Sequence, residues 1–200
     1  MRRNEFDLVA SIYDFLASVV FGDQLNDAQR EYLGSILPDN DVLVLGGGTG
    51  KLIPYLPASR SIDFVEKSGG MLKRARNQST NNTINFINDD FFTYTSDKQY
   101  NVIICPFFLD CFHAKTLESL LEKIKGMLID GGILIVIDFE YRFRNHIMMH
   151  LMHLFFKIVA RLESNKLQDI HLFTLNAGFV VEKEKFFNQN MIFSRLYRNL

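Results

Sequence analysis

The chain has 200 residues and a net charge of −1 from 22 basic and 23 acidic side chains, and 48% of it is hydrophobic. That length suits one domain with a single core, the composition excludes a largely disordered chain, and the balanced charge excludes a protein whose main task is gripping phosphate backbones. Its two cysteines, Cys105 and Cys111, match no zinc spacing and cannot build a disulfide framework, so they are read as reduced core thiols of a cytoplasmic protein.

Residues 1–10 carry two arginines but reach acidic residues at once, unlike a secretion signal. Leu8, Ile12, Phe15, Leu16 and Val19 have helical spacing over residues 7–21. Asn26, with Gln29 three residues later, predicts the cap of a second helix. Residues 41–45 (DVLVL) read as a buried strand, followed by a glycine-rich turn and a short helix near 50–56. Residues 61–66 (SIDFVE) form a second strand, and Ser68 caps a helix carrying Met71, Leu72 and Ala75. Strands three and four are expected at 83–88 and 100–105, with a polar loop at 77–83 before the third. Leu117, Leu120, Leu121, Ile124 and Leu128 place a helix over 116–129, with Gly131-Gly132 as its left-handed stop. Residues 133–138 (ILIVID) are a fifth strand. Helical patterns then cover about 143–161 and 166–177, with Gly178 as a stop. Strands at 179–187 and 191–197 follow, joined by Asn188-Gln189-Asn190 as a hairpin. No stretch reaches the ~18 apolar residues of a membrane span, so no stable membrane insertion is expected. Alternating strands and helices predict a mostly parallel sheet covered on both faces.

The strongest local signal is VLVLGGGTGKL at 42–52, a buried strand running into glycines and a helix start. Such a turn lets a ligand approach the main chain and presents free amides. A dinucleotide fingerprint fails because the third glycine comes one residue early. A phosphate-binding P-loop fails because Leu45 and Leu52 replace the first glycine and the Ser/Thr. What remains is GxGxG at Gly46, Gly48 and Gly50, which by itself is also a tight turn of any α/β fold. Glu66 ends the next strand about twenty residues on, where an acid can accept from both hydroxyls of a ribose. Asp90, after the third strand, can accept from an exocyclic adenine amine while the Phe91 amide donates to the ring; Asp89 can exchange roles with it. The three loops converge on one crevice at the carboxyl edge of the sheet.

These segments together resemble the class I S-adenosylmethionine-dependent methyltransferases. The resemblance runs through VLVLGGGTG, FVEKSGGMLKRAR, FINDDFF, YNVIICPFFLDCF and LEKIKGMLIDGGILIVIDF. It implies a Rossmann-like, doubly wound α/β fold of seven strands in the order 3-2-1-4-5-7-6, with strand 7 antiparallel. It implies S-adenosyl-L-methionine as cofactor, with Gly46, Gly48 and Gly50 lining the methionine part and Gly47 beside them. Glu66 would hold the ribose, with Lys67 next to it, Met71 would pack near the adenine, and Asp90 would read the adenine amine. Cys105, Pro106 and Phe107 would face the sulfonium. The chain is then one methyltransferase domain, with residues 1–37 a helical lid, 38–140 the cofactor-binding core, and 141–200 acceptor-side helices and hairpin. Two positions depart from the pattern. Val44 stands where most relatives have an acid, and Asn101 where Asp is usual.

Methyl transfer from a sulfonium is a direct displacement, so the protein must supply in-line placement and dryness, and a base only for a protonated acceptor. His113, Tyr13 and Tyr141 are the candidate bases, and each reads first as a packing or surface residue. Relatives acting on planar amine nitrogens often carry Asn/Asp-Pro-Pro-Tyr after strand four, where this chain has Cys105-Pro106-Phe107-Phe108. No basic tract offers a nucleic-acid footprint. Phe107, Phe108, Leu109, Phe112, Phe139, Tyr141 and Phe143 predict an apolar pocket for a small hydrophobic acceptor, and residues 11–25 (SIYDFLASVVFGDQL) more weakly resemble the methyltransferases of quinone- and lipid-like acceptors. His146, His150 and His153 share one helical face, but Lys157 extends the stripe and no acid or cysteine joins it, so no metal site is expected. The opposite face is read as packing, with a second copy of the chain as a candidate partner. Two alternatives stand beside an active enzyme. One is a silent domain binding S-adenosylmethionine or S-adenosylhomocysteine as partner or sensor. The other is an aminopropyltransferase-like enzyme, which the aromatic stretch after strand four disfavours.

Overall fold

The computed structural model describes residues 22–140 and 168–200. The helices expected at 7–21 and 143–161, Tyr13, Tyr141, Phe143 and the three spaced histidines lie outside the described residues. Seven strands form one sheet: β1 Asp41–Leu45, β2 Ser61–Val65, β3 Ile84–Ile87, β4 Tyr100–Pro106, β5 Leu128–Phe139, β6 Phe179–Phe187 and β7 Ile192–Asn199. Their spatial order is β3-β2-β1-β4-β5-β7-β6. The first five are parallel, and β7 runs antiparallel to both β5 and β6. This is the topology that the sequence resemblance implied.

Period-two alternation decides which core each strand residue enters. Val42, Val44, Ile62, Phe64, Val102 and Ile104 face one core, against Leu25 and Ala28 of helix α1 (Gln24–Arg30) and Leu72 and Ala75 of α2 (Gly69–Ala75). Leu43, Leu45, Val65, Ile103 and Cys105 face the other, against α3 (Ala114–Met127) and α4 (Ile170–Asn176). On α3 the buried stripe is Leu117, Leu120, Leu121 and Ile124, one apolar face at helical spacing. Both cysteines are free thiols.

Three expectations need correction. Helix α1 begins at Gln24 rather than after Asn26, and its cap position, Asp23, makes no side-chain bond. Leu25 must be helical to reach the core, and Gln24 is tied down by the Asn188 amide at 3.2 Å. The short helix after the glycine turn is a single 3-10 turn at Ile53–Tyr55. Helix α3 stops at Met127, before the double glycine. Leu128 is already extended and pairs with Tyr100, so tertiary strand pairing ends the helix before Gly131 can. Gly131, with φ +72°, sits where the β4–β5 register shifts. Other signals are realised as read. Ser68 caps α2, accepting from the Met71 amide at 3.3 Å. Gly178 stops α4 with φ +85°. The hairpin turns through Asn188, Gln189 and Asn190, all at positive φ.

Candidate functional site

All five parallel strands end on the same edge, so the turns after β1, β2, β3 and β4 meet there. The β1 turn contributes the glycines. The Gly46 amide donates to the Val65 carbonyl at 2.9 Å, which keeps the turn against β2. Gly48 has φ +58°, and a Cβ there would meet nothing within 4 Å, so its outer face opens on the crevice. Gly46 is the contrary case: a Cβ would overlap the Phe108 ring, which comes from the turn after β4.

Glu66 closes the end of β2. Its Oε2 accepts from the Gly48 amide at 3.0 Å and its Oε1 from the Ser68 amide at 2.7 Å. Burial pushes its carboxyl up, partly offset by those two amides. A carboxylate has about four acceptor positions, so two amides leave room for further donors. Asn88, after β3, donates to the carbonyls of Glu66 and Lys67, both at 2.9 Å. It fixes the two strand ends against each other, a role that sequence reading missed.

The two aspartates after β3 differ. Asp89 accepts from the Asp90 amide at 2.7 Å and from the Thr93 hydroxyl at 2.8 Å, which makes it a turn former. Asp90 accepts from the Phe92 amide at 3.0 Å and meets Lys67 Nζ at 2.7 Å at the rim. Burial raises its carboxyl, but Lys67, the Phe92 amide and the charge of Lys123 outweigh it and leave it below the ordinary value. Lys123 of α3 bonds the carbonyls of Phe91, Phe92 and Tyr94 at 2.6, 3.1 and 2.6 Å and clamps this loop from below.

After β4 the chain makes a forced turn. Phe107 holds φ +52°, a conformation costly for a side chain of its size. Its amide bonds the Ile137 carbonyl at 2.7 Å, and its ring packs on Phe139 at 5.2 Å. A 3-10 turn at Leu109–Cys111 follows. Asp138, wholly buried near the end of β5, holds it: its Oδ2 accepts from the amides of Leu109 and Asp110 at 3.1 and 3.2 Å. Phe108 lies edge-on to Phe91 and Phe112, and Phe112 to Phe92, which makes an aromatic wall beside the crevice.

The structure thus sets Gly46, Gly48, Glu66, Lys67 and Asp90 along the carboxyl edge, with Asp89 shaping the turn beside Asp90; a Cβ on Gly47 would strike the Phe64 ring and one on Gly50 would strike Ala75 of α2, so the missing side chains there serve packing, and Phe91 is buried in the core. Met71 lies in the first turn of α2, half-buried. Cys105 and Pro106 are buried, with the Cys105 side chain in the core below the edge. His113 is exposed at the cap position of α3. Val44 is wholly buried in the core, and Asn101 accepts from the Asp41 amide at 2.8 Å, joining β4 to the start of β1. Sequence reading passed over Asp110 and Asp138, although an acid inside LDC and inside ILIVIDF was itself a signal: a carboxylate in an apolar run must be held by something. Among the described residues no group of three His, Cys, Asp or Glu side chains is placed to hold a metal ion, and no helix is long and apolar enough to cross a membrane.

Residues 42–132, a little under half of the chain, match the family model described as a methyltransferase domain. No curated protein matches the chain in sequence. Solved structures share its fold along most of its length. One is the DhpI–SAH complex, 17% identical over 96% of this chain and 92% of that one, with a TM-score of 0.71. Another is an S-adenosylmethionine dependent methyltransferase from Mesorhizobium loti, 12% identical over 87% and 99%, at 0.68. A third is the N-methyltransferase NodS from Bradyrhizobium japonicum in complex with S-adenosylhomocysteine, 11% identical over 88% and 86%, at 0.65. At such identities the likeness is one of fold, and that fold is the Rossmann-like one of the methyltransferases.

Proposed function

We propose that the chain is an S-adenosylmethionine-dependent methyltransferase acting on a small, largely apolar organic acceptor. The observation that carries the reading is the pairing of an open turn with a buried acid. Gly48 leaves space above its backbone, and Glu66 lies against the same turn with acceptor positions to spare. A carboxylate with acceptor positions to spare suits the hydroxyl donors of a ribose beside a close-packed backbone, so the residues fit the cofactor. The methyltransferase-domain match over 42–132 supports it, as do the S-adenosylhomocysteine-bound structures of the same fold.

The cofactor, when bound, supplies an activated methyl group on a sulfonium. The protein's part is placement. Glu66 would accept from the ribose hydroxyls. Asp90 would take the adenine amine after Lys67 gives way, with Asp89 shaping the turn that presents it. Met71 would pack near the adenine, and Gly46, Gly47, Gly48 and Gly50 would border the amino-acid arm. Phe107 would present the strained end of β4, next to Cys105 and Pro106, toward the reacting centre. Phe108, Phe112 and Phe92 would exclude water and favour an apolar acceptor.

Glu66→Ala tests this by calorimetry with S-adenosylhomocysteine. The expected loss of affinity is roughly ten- to hundredfold, the worth of hydrogen bonds to a charged acceptor. An unchanged dissociation constant removes Glu66 from the site. A silent cofactor-binding domain is the second reading. It is favoured by Val44, whose position in the core offers no acid to the crevice. Methyl transfer to any member of a metabolite panel, using labelled donor, overturns that second reading.

A further inference from the structure

The turn after β4 holds a buried carboxylate that meets no cation among the described residues. Asp110 is 8% exposed. The one side-chain donor that reaches it is the Cys111 thiol, 3.4 Å from Oδ1, and a thiol is a weak donor. No Lys, Arg or His among the described residues forms an ion pair with it. The two neighbouring buried acids are engaged. Asp138 takes the amides of Leu109, Asp110 and Phe139, and Glu66 takes those of Gly48 and Ser68. The turn is seated on the crevice, for Phe108 covers Gly46, and Cys111 feels the charge of Asp110, Asp138 and Glu66 together.

An unpaired carboxylate stripped of water is unfavourable, and burial pushes Asp110 up to about 6. Burial and the charge of Asp110 push the neighbouring Asp138 well above its ordinary value, so Asp110 ionises beside phenylalanines with no cation to meet it among the described residues. A cation with an apolar skeleton is the ligand that such surroundings select. We propose that Asp110 is the ionic anchor for a protonated amine bound in this crevice. The inference rests on the methyltransferase reading and deepens it. Two sources share the chemistry: the ammonium of the cofactor's amino-acid arm, for which Val44 supplies no acid, and an amine acceptor.

Calorimetry on the full chain separates them, comparing wild type with Asp110→Asn at about pH 8, where the carboxylate is ionised. The probes are S-adenosylhomocysteine, 5′-methylthioadenosine, which lacks the amino-acid arm, and phenethylamine against 2-phenylethanol on protein saturated with S-adenosylhomocysteine. If Asp110 holds the cofactor's ammonium, the variant loses about ten- to hundredfold for S-adenosylhomocysteine and nothing for 5′-methylthioadenosine. If it holds the acceptor, the same loss falls on phenethylamine and spares 2-phenylethanol. Equal affinities of both proteins for all four probes overturn the proposal. Should the variant not fold, wild-type titrations replace it: affinity for one ammonium probe must fall below about pH 6 while its uncharged counterpart stays level. Level profiles for all probes overturn the proposal by that route. Wild-type protein that binds neither nucleoside overturns the methyltransferase reading as well, whereas binding indifferent to Asp110 overturns this inference alone.

Discussion

The protein buries charge in two opposite ways. On the hairpin side of the sheet Arg195 of β7 is 3% exposed, yet it is fully served. Its guanidinium bonds Glu140 and Glu184, both at 2.7 Å, and lies 4.0 Å over the Phe193 ring. Asp63 of β2 is equally well supplied, by the Tyr100 hydroxyl at 2.8 Å, Asn85 at 2.9 Å and Lys98 at 3.2 Å. At the carboxyl edge, Glu66, Asp138 and Asp110 are just as buried, and their described partners are amides and a thiol. Where the fold supplies countercharge, the buried group is architecture. Where it withholds countercharge, the group stays available to a ligand.

That contrast can be broken at either end. The largest effect belongs to the paired region. Arg195→Met removes the guanidinium that bonds Glu140 and Glu184, and is expected to lower stability by about 3–5 kcal/mol in urea unfolding, the cost of taking one partner from a buried ion pair. A loss below about 1 kcal/mol would show that the triad is solvated and the contrast false.

The next effect concerns the sign of the pH dependence. Asp110 is pushed by burial above its ordinary value to about 6, so the folded state prefers its protonated form. Its contribution is fully present at low pH and is lost as pH rises through about 6. Asp110→Asn should therefore gain stability relative to wild type between about pH 4.5 and pH 7.5. Parallel urea curves with a constant gap between the two proteins would mean that Asp110 has a partner after all.

The smallest effect is expected at the clamp beneath the β3 loop. Lys123→Met removes three carbonyl contacts and should cost about 1 kcal/mol. It should weaken adenosine-type ligands a few-fold with no change in the pH dependence assigned to Asp110. A variant that abolishes nucleoside binding while keeping its melting temperature would move Lys123 from support into the site itself.

Much of this was legible in residue order. DVLVL, SIDFV and YNVIIC announced strands because short apolar runs rich in β-branched residues suit a sheet buried on both faces. Glu66 was legible because an acid follows an apolar strand at a fixed distance from a glycine turn. Helix ends were less so. The apolar spacing of α3 continues through Leu128, and a propensity reading runs on to Gly131, whereas pairing with Tyr100 had already drawn Leu128 into β5. Asn88 and Lys123 carry no local signal, since their partners are carbonyls of distant loops.

Sequence alone determined the sheet order's ingredients, the glycine turn and the acid beyond β2, because these depend on periodicity and on contacts between near neighbours. Only the tertiary structure decided that Phe108 would cover Gly46, that Asp138 would spend its oxygens on the turn after β4, and that Asp110 would be left with one to spare. The reason is physical: whether a buried charge is satisfied depends on which donors the fold carries to it, and donors tens of residues away in the chain leave no mark beside it.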